Sequence, residues 1–125
     1  GDLFKDNIFF TENKISGVID FYFSCTDFIS YELAIAINAW CFDESSRFNL
    51  TKYKSILIGF NSNSSLNEEE KNSMNILLRG AAVRILVTRL HDMIFHPNDA
   101  LVFPKDPKEY LDILKWHQAN INIKK

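Results

Sequence analysis

The 125-residue sequence has little of several residue types that carry common chemistries. Its two cysteines, Cys25 and Cys41, lie in apolar contexts outside any C-x-x-C or His-rich spacing, which argues against structural zinc and a disulfide framework and suits a reducing cytoplasm. Its four glycines, Gly1, Gly17, Gly59 and Gly80, are too scattered to build a glycine-rich phosphate loop. Its three prolines all fall within HPNDALVFPKDPKEY, so nothing before Pro97 is interrupted by proline. No window approaches about eighteen uninterrupted apolar residues, and no charged-then-apolar leader opens the sequence, so neither a membrane span nor a signal peptide is expected. Fourteen basic residues against sixteen acidic ones give a formal charge of −2. That balance supplies no electrostatic footprint for nucleic acid or an anionic membrane, and neither is an expected partner.

What is present is a 46% hydrophobic composition, enough for one modest core, with no internal repeat or low-complexity segment. Residues 1–125 are therefore expected to form part of a single domain. The runs NIFF and ISGVIDFYF, rich in Ile, Val, Phe and Tyr and separated by a polar stretch, predict a β-hairpin over Asn7 to Phe21. DFISYELAIAINAWCF is apolar almost all round and predicts a fully buried helix with Asp27 as its N-cap. A shorter helix around LTKYKSILIGF is expected to close at Gly59. Asn67, followed by Glu68, Glu69 and Glu70, places carboxylates at the positive end of a helix dipole and starts one long helix through Phe95. A last helix, PKEYLDILKWHQANI, is predicted from Pro107 to Ile121. The expected fold class is α+β and mainly helical, a hairpin packed on a helical body.

That arrangement gives chemical meaning to GDLFKDN and GVIDF. If a hairpin begins at Asn7 and returns along GVIDF, Asp20 comes back beside Asn7 while Asp2 stays on the adjoining loop. A carboxylate beside a carboxamide suits a hard divalent cation such as Mg2+, and a further carboxylate left off the metal can accept a hydroxyl proton. The D-x-x-x-x-N spacing alone is common in solvated loops. Asp20 adds weight, because a strand-centre carboxylate between Gly-Val-Ile and Phe-Tyr-Phe is costly to bury without a partner. Phosphoryl transfer in kinases uses such a set: a catalytic-loop Asp, an Asn five positions on, and an Asp on the next strand.

GDLFKDN, GVIDFYFSCTD and YELAIAINAWCF together resemble the aminoglycoside phosphotransferase and choline kinase superfamily, and within it the bacterial homoserine kinases. RGAAVRILVTRLHD and KDPKEYLDIL continue the likeness, so it covers nearly the whole chain. The resemblance implies a protein-kinase-like C-terminal lobe read from the catalytic loop onward, with Asp2 as catalytic base and Asn7 and Asp20 as metal ligands. It implies ATP and Mg2+, L-homoserine as the acceptor, and a function in threonine biosynthesis. It also implies a His just before Gly1 and an ATP-holding N-terminal lobe, neither found in these residues. That lobe would come from elsewhere, on the same or a separate chain, and the chain by itself is expected to be inactive. A non-catalytic remnant or binding module retaining the fold, and a choline- or aminoglycoside-type phosphotransferase, are the alternatives.

A zwitterionic acceptor needs one anionic and one cationic contact, for which Asp27 or Glu32 and Arg84 or Arg89 are candidates. Arg79, Arg84 and Arg89 recur every five residues, so successive side chains turn about 140° and cannot form one clamp. Arg89 falls on an apolar helix face and requires a carboxylate, from Asp27, Glu32 or the substrate. Lys5 is a candidate for neutralising phosphate charge. Trp40, Tyr22 and Phe23 are weighed as an aromatic cage and read as core instead. His91 and His96 diverge on a helix and do not suggest a shared metal.

Overall fold

The computed structural model describes residues 1–97 and 99–120. Strands β1 (Ile8–Thr11) and β2 (Lys14–Val18) form an antiparallel pair, with Ile8 opposite Val18 and Thr11 opposite Lys14. Glu12 and Asn13 join them with φ of 49° and 64°, the left-handed values of the two-residue turn whose twist matches that of the strands. The register slips between Phe9 and Phe10, a bulge that bends the hairpin. Both strands are largely solvent-exposed, so the hairpin is not the buried element that its apolar runs suggest.

Among the described residues the body is four helices: α1 (Ile29–Trp40), α2 (Leu50–Asn61), α3 (Glu68–Ile94) and α4 (Lys108–Ala119). α1 is buried from Leu33 through Asn38. α3 turns Leu78, Ala81, Ala82, Ile85 and Arg89 inward, the three-and-four spacing of one helix face. α4 closes the core with Tyr110, Ile113 and His117. Three helices meet on one polar side chain: Asn38 Nδ2 donates to the Leu78 carbonyl at 2.9 Å, and Asn38 Oδ1 accepts from His117 Nε2 at 2.7 Å. With its proton on Nε2, His117 is neutral, and burial pushes its pKa down to about 4.

The helix boundaries confirm some expectations and correct others. Asn67 caps α3 as half of a capping box: its Oδ1 accepts from Glu70 N and its N donates to Glu70 Oε2, both at 2.8 Å. Asp27 does not cap α1. Phe28 holds that position, and Asp27 Oδ1 accepts only the adjacent Phe28 N–H, at 2.7 Å. Gly59 does not close α2, which continues to Asn61; no glycine adopts positive φ, so Gly59 lacks the left-handed geometry of a helix stop. α4 follows Pro107 as expected, while the expected end of that helix, Ile121, lies outside the described residues.

Candidate active site

The segment from Gly1 to Asn7 is a tight loop fixed by its own backbone. Phe4 N donates to the Asp2 carbonyl at 2.7 Å and Asn7 N to the Phe4 carbonyl at 3.0 Å, which makes a 3₁₀ turn of Lys5–Asn7. The Asn7 side chain folds back so that Nδ2 donates to the Asp2 carbonyl at 2.9 Å. That bond fixes the amide and leaves Oδ1 as the free acceptor. From α1, Trp40 Nε1 donates to the Leu3 carbonyl at 2.8 Å. The hairpin is stitched to the same loop through Ile19 N and the Asn7 carbonyl, at 2.9 Å.

Asp20 follows that stitch. It is exposed and lies beyond the end of β2, which corrects the expectation of a buried mid-strand carboxylate. Its φ is 63°, a left-handed conformation that Asp tolerates better than most residues and that turns the chain sharply after the hairpin. Asp2, Asn7 and Asp20 line one cavity of about 300 Å³, so the convergence expected from sequence is present although the burial is not. Burial raises the Asp2 pKa above the ordinary carboxylate value; Arg84 opposes the shift and Asp20 adds to it. Among the described residues no three His, Cys, Asp or Glu side chains group closely enough to hold a metal by themselves. The hard-oxygen donors here are one carboxamide and the carboxylates around it, a set that fits a cation taking the rest of its shell from phosphate and water.

A second cavity, of about 420 Å³, is lined by Gly1 and brings together Asp27, Glu32 and Arg84. Glu32 Oε2 is 2.7 Å from the Gly1 nitrogen, and Arg84 Nη2 donates to the Gly1 carbonyl at 3.4 Å. A space of about 80 Å³ shares Asp2 and Asp20 with the first cavity and Gly1 and Glu32 with the second.

Two candidates do not join the Asp27–Glu32–Arg84 cavity. Arg89 does not reach Asp27 or Glu32. Its Nη1 binds Glu109 at 2.6 Å and the Asp106 carbonyl at 3.0 Å, with its guanidinium 4.6 Å from the Tyr110 ring centre, so its charge is met internally. Lys5 lines a separate acidic cavity with Asp43, Glu44, Asp106 and Asp112. Trp40 binds the loop and packs edge-on to Phe10, whereas Tyr22 and Phe23 pack on each other. His91 stacks with Phe95 and His96 with Phe103.

The phosphotransferase enzyme family matches residues 1–57, the stretch that holds Asp2, Asn7, Asp20, Asp27 and Glu32. Residues 1–57 are thus similar to that family. The phosphotransferase enzyme family has a kinase-like fold, in keeping with the helical body and small antiparallel sheet. The chain is 51% identical over 118 residues to a homoserine kinase of Xanthobacter autotrophicus and 49% identical over 118 residues to one of Parvibaculum lavamentivorans, in each case over 94% of this chain and 37% of the relative. A homoserine kinase of Nitrobacter hamburgensis is 47% identical over 123 residues, 98% of this chain and 38% of its own length. The chain thus spans somewhat more than a third of the length of the relatives it matches.

Sequence reasoning missed Lys105, which enters the Asp2–Asn7–Asp20 cavity from the loop before α4. The signal was there, since Pro104 and Pro107 bracket Lys-Asp and stiffen that loop.

Proposed function

We propose that this chain is the catalytic and acceptor-binding part of an ATP-dependent kinase that phosphorylates L-homoserine on its side-chain hydroxyl, giving O-phospho-L-homoserine for threonine biosynthesis. The observation that carries the proposal is the pair of adjoining cavities, one lined by Asp2, Asn7 and Asp20 and the other by Asp27, Glu32 and Arg84. The relatives named homoserine kinase support the choice of acceptor.

In this reading the acceptor's ammonium faces Asp27 or Glu32 and its carboxylate faces Arg84, directing the hydroxyl toward Asp2. That hydroxyl oxygen forms a bond to the γ-phosphorus of ATP, the bond from phosphorus to the ADP oxygen breaks with its electron pair on ADP, and the hydroxyl proton passes to the Asp2 carboxylate. The raised pKa makes Asp2 a stronger base than an ordinary carboxylate. Asn7 and Asp20 would hold Mg2+, which neutralises phosphate charge when bound. An ATP-holding N-terminal lobe completes the enzyme. Phe9, Phe10, Ile15, Phe21 and Tyr22, each more than half exposed, make an apolar surface of the kind such a lobe would cover.

Substitution in the longer protein that includes this chain separates the roles. Asp20→Ala should remove metal-dependent nucleotide binding and activity together. Asp2→Asn should lower kcat while sparing ATP affinity, and Asn7→Ala should raise the Mg2+ requirement. If Asp2→Asn mainly weakened ATP binding and left kcat intact, the assignment of base and metal ligand would have to be exchanged.

A further inference from the structure

Lys105 is the cation in the Asp2–Asn7–Asp20 cavity whose hydrogen bonds are not used up by the fold. Arg89 lines the same cavity, but Glu109, the Asp106 carbonyl and the Tyr110 ring satisfy its guanidinium. The Lys105 ammonium has three donors; among the described residues it has one hydrogen-bond partner, Asp6 Oδ2, and it lies 6.0 Å from the Phe4 ring centre. Asp6 and Lys105 are 99 residues apart in sequence and both half exposed or more, so their ion pair contributes little to holding the fold together.

The loop that carries Lys105 is nonetheless held firmly. Buried Arg89 bonds the carbonyl of Asp106, Asp106 Oδ1 accepts from Lys108 N at 2.8 Å, and proline fixes φ at 104 and 107. A rigid support for an exposed, flexible-stemmed ammonium beside three carboxylates suggests a use beyond stability. The ammonium offsets negative charge in a cavity that already contains Asp2, Asp6 and Asp20, and a phosphoryl group arriving there adds more.

We infer that Lys105 contacts the phosphoryl group in this cavity, with Asp6 as its resting partner. A phosphoryl group is favoured over the acceptor's carboxylate because the cavity proposed for the acceptor has its own cation, Arg84, beside Gly1. The inference deepens the kinase reading and rests on it for the identity of the anion. In the kinase reaction Lys105 is then a charge-neutralising group for the transferred phosphoryl, the part that sequence alone offered to Lys5.

Binding of inorganic phosphate to the chain, followed by NMR shift perturbation, tests this without requiring turnover. Lys105→Met should weaken phosphate binding about tenfold, the scale of one charge-assisted hydrogen bond. Asp6→Asn, which frees the ammonium, should strengthen it. The gain from Asp6→Asn should vanish in the double variant, since the freed group is then gone. If both single variants shifted affinity the same way, Lys105 would be only a tie between loops; absence of phosphate binding, or binding indifferent to Lys105, would also overturn the inference. Failure of the longer protein to phosphorylate homoserine would defeat the kinase reading instead, and would leave these phosphate affinities as measured.

Discussion

The side-chain amide of Asn7 donates to the backbone carbonyl of Asp2 at 2.9 Å. The five-residue spacing of the motif is thereby closed by a hydrogen bond between its two ends, with the loop between them wound into a 3₁₀ turn. Asn7→Asp should be worse than a loss of one donor, because it sets a carboxylate against a carbonyl. Thermal denaturation of Asn7→Ala and Asn7→Asp should show the Asp variant to be the less stable, by about 1 kcal/mol or more; equal stability would mean that the bond contributes little to the loop.

Arg89 is a buried cation, and its partners determine what its removal costs. Glu109→Gln keeps the shape but removes the countercharge, and because Glu109 is about half exposed the loss should be about 1–2 kcal/mol. Arg89→Ala also releases the Asp106 carbonyl and uncovers the Tyr110 ring, and should cost about 3 kcal/mol or more. Urea unfolding of the two variants would reveal a reversed order if Arg89 were held mainly by Glu109.

His117 makes stability pH-dependent. Its folded pKa is about 4, below its ordinary 6.5, with burial as the first cause and Arg79 as the second. As pH falls below about 6.5 the unfolded chain takes up a proton that the folded chain refuses, so stability is lost between about pH 6.5 and about pH 4, by up to about 3 kcal/mol. Replacing His117 with Gln, which can still donate to Asn38, should flatten the unfolding free energy across that window. An unchanged slope would assign the pH dependence to other groups.

Much of this architecture is legible in the sequence because local chemistry and tertiary need agree. Asn67 with Glu70 announces the start of α3, Pro107 the start of α4, and the apolar character of YELAIAINAW announces burial. The convergence of Asp2, Asn7 and Asp20 on one cavity is legible for a related reason: a short hairpin must bring Asp20 back to Asn7 whatever the strand length. The exposure of Asp20 is not legible, since the apolar run around it continues past the end of β2 into an exposed turn, and periodicity cannot distinguish a core strand from a surface that another part of the protein would cover. The partners of Arg89 and Lys105 were equally out of reach. Glu109 and Asp6 lie 20 and 99 residues away, and only packing brings them in.

The isolated chain should bind ATP very weakly and turn over negligibly, because its four scattered glycines build no glycine-rich phosphate loop. Titration calorimetry with and without Mg2+ measures this directly. Tight, Mg2+-dependent ATP binding by residues 1–125 would mean that the nucleotide site is complete without a second lobe.

The most direct measurement is ADP release by the longer protein with L-homoserine, choline and a kanamycin-type aminoglycoside as competing acceptors. One cation and two carboxylates line the cavity proposed for the acceptor, Arg84 with Asp27 and Glu32, which suits a small zwitterion, whereas a polycation calls for more acid and a quaternary ammonium for an aromatic box. L-homoserine should be phosphorylated with strong discrimination against the other two, and Arg84→Met should raise its KM. Faster turnover of choline or the aminoglycoside than of homoserine would contradict the assignment.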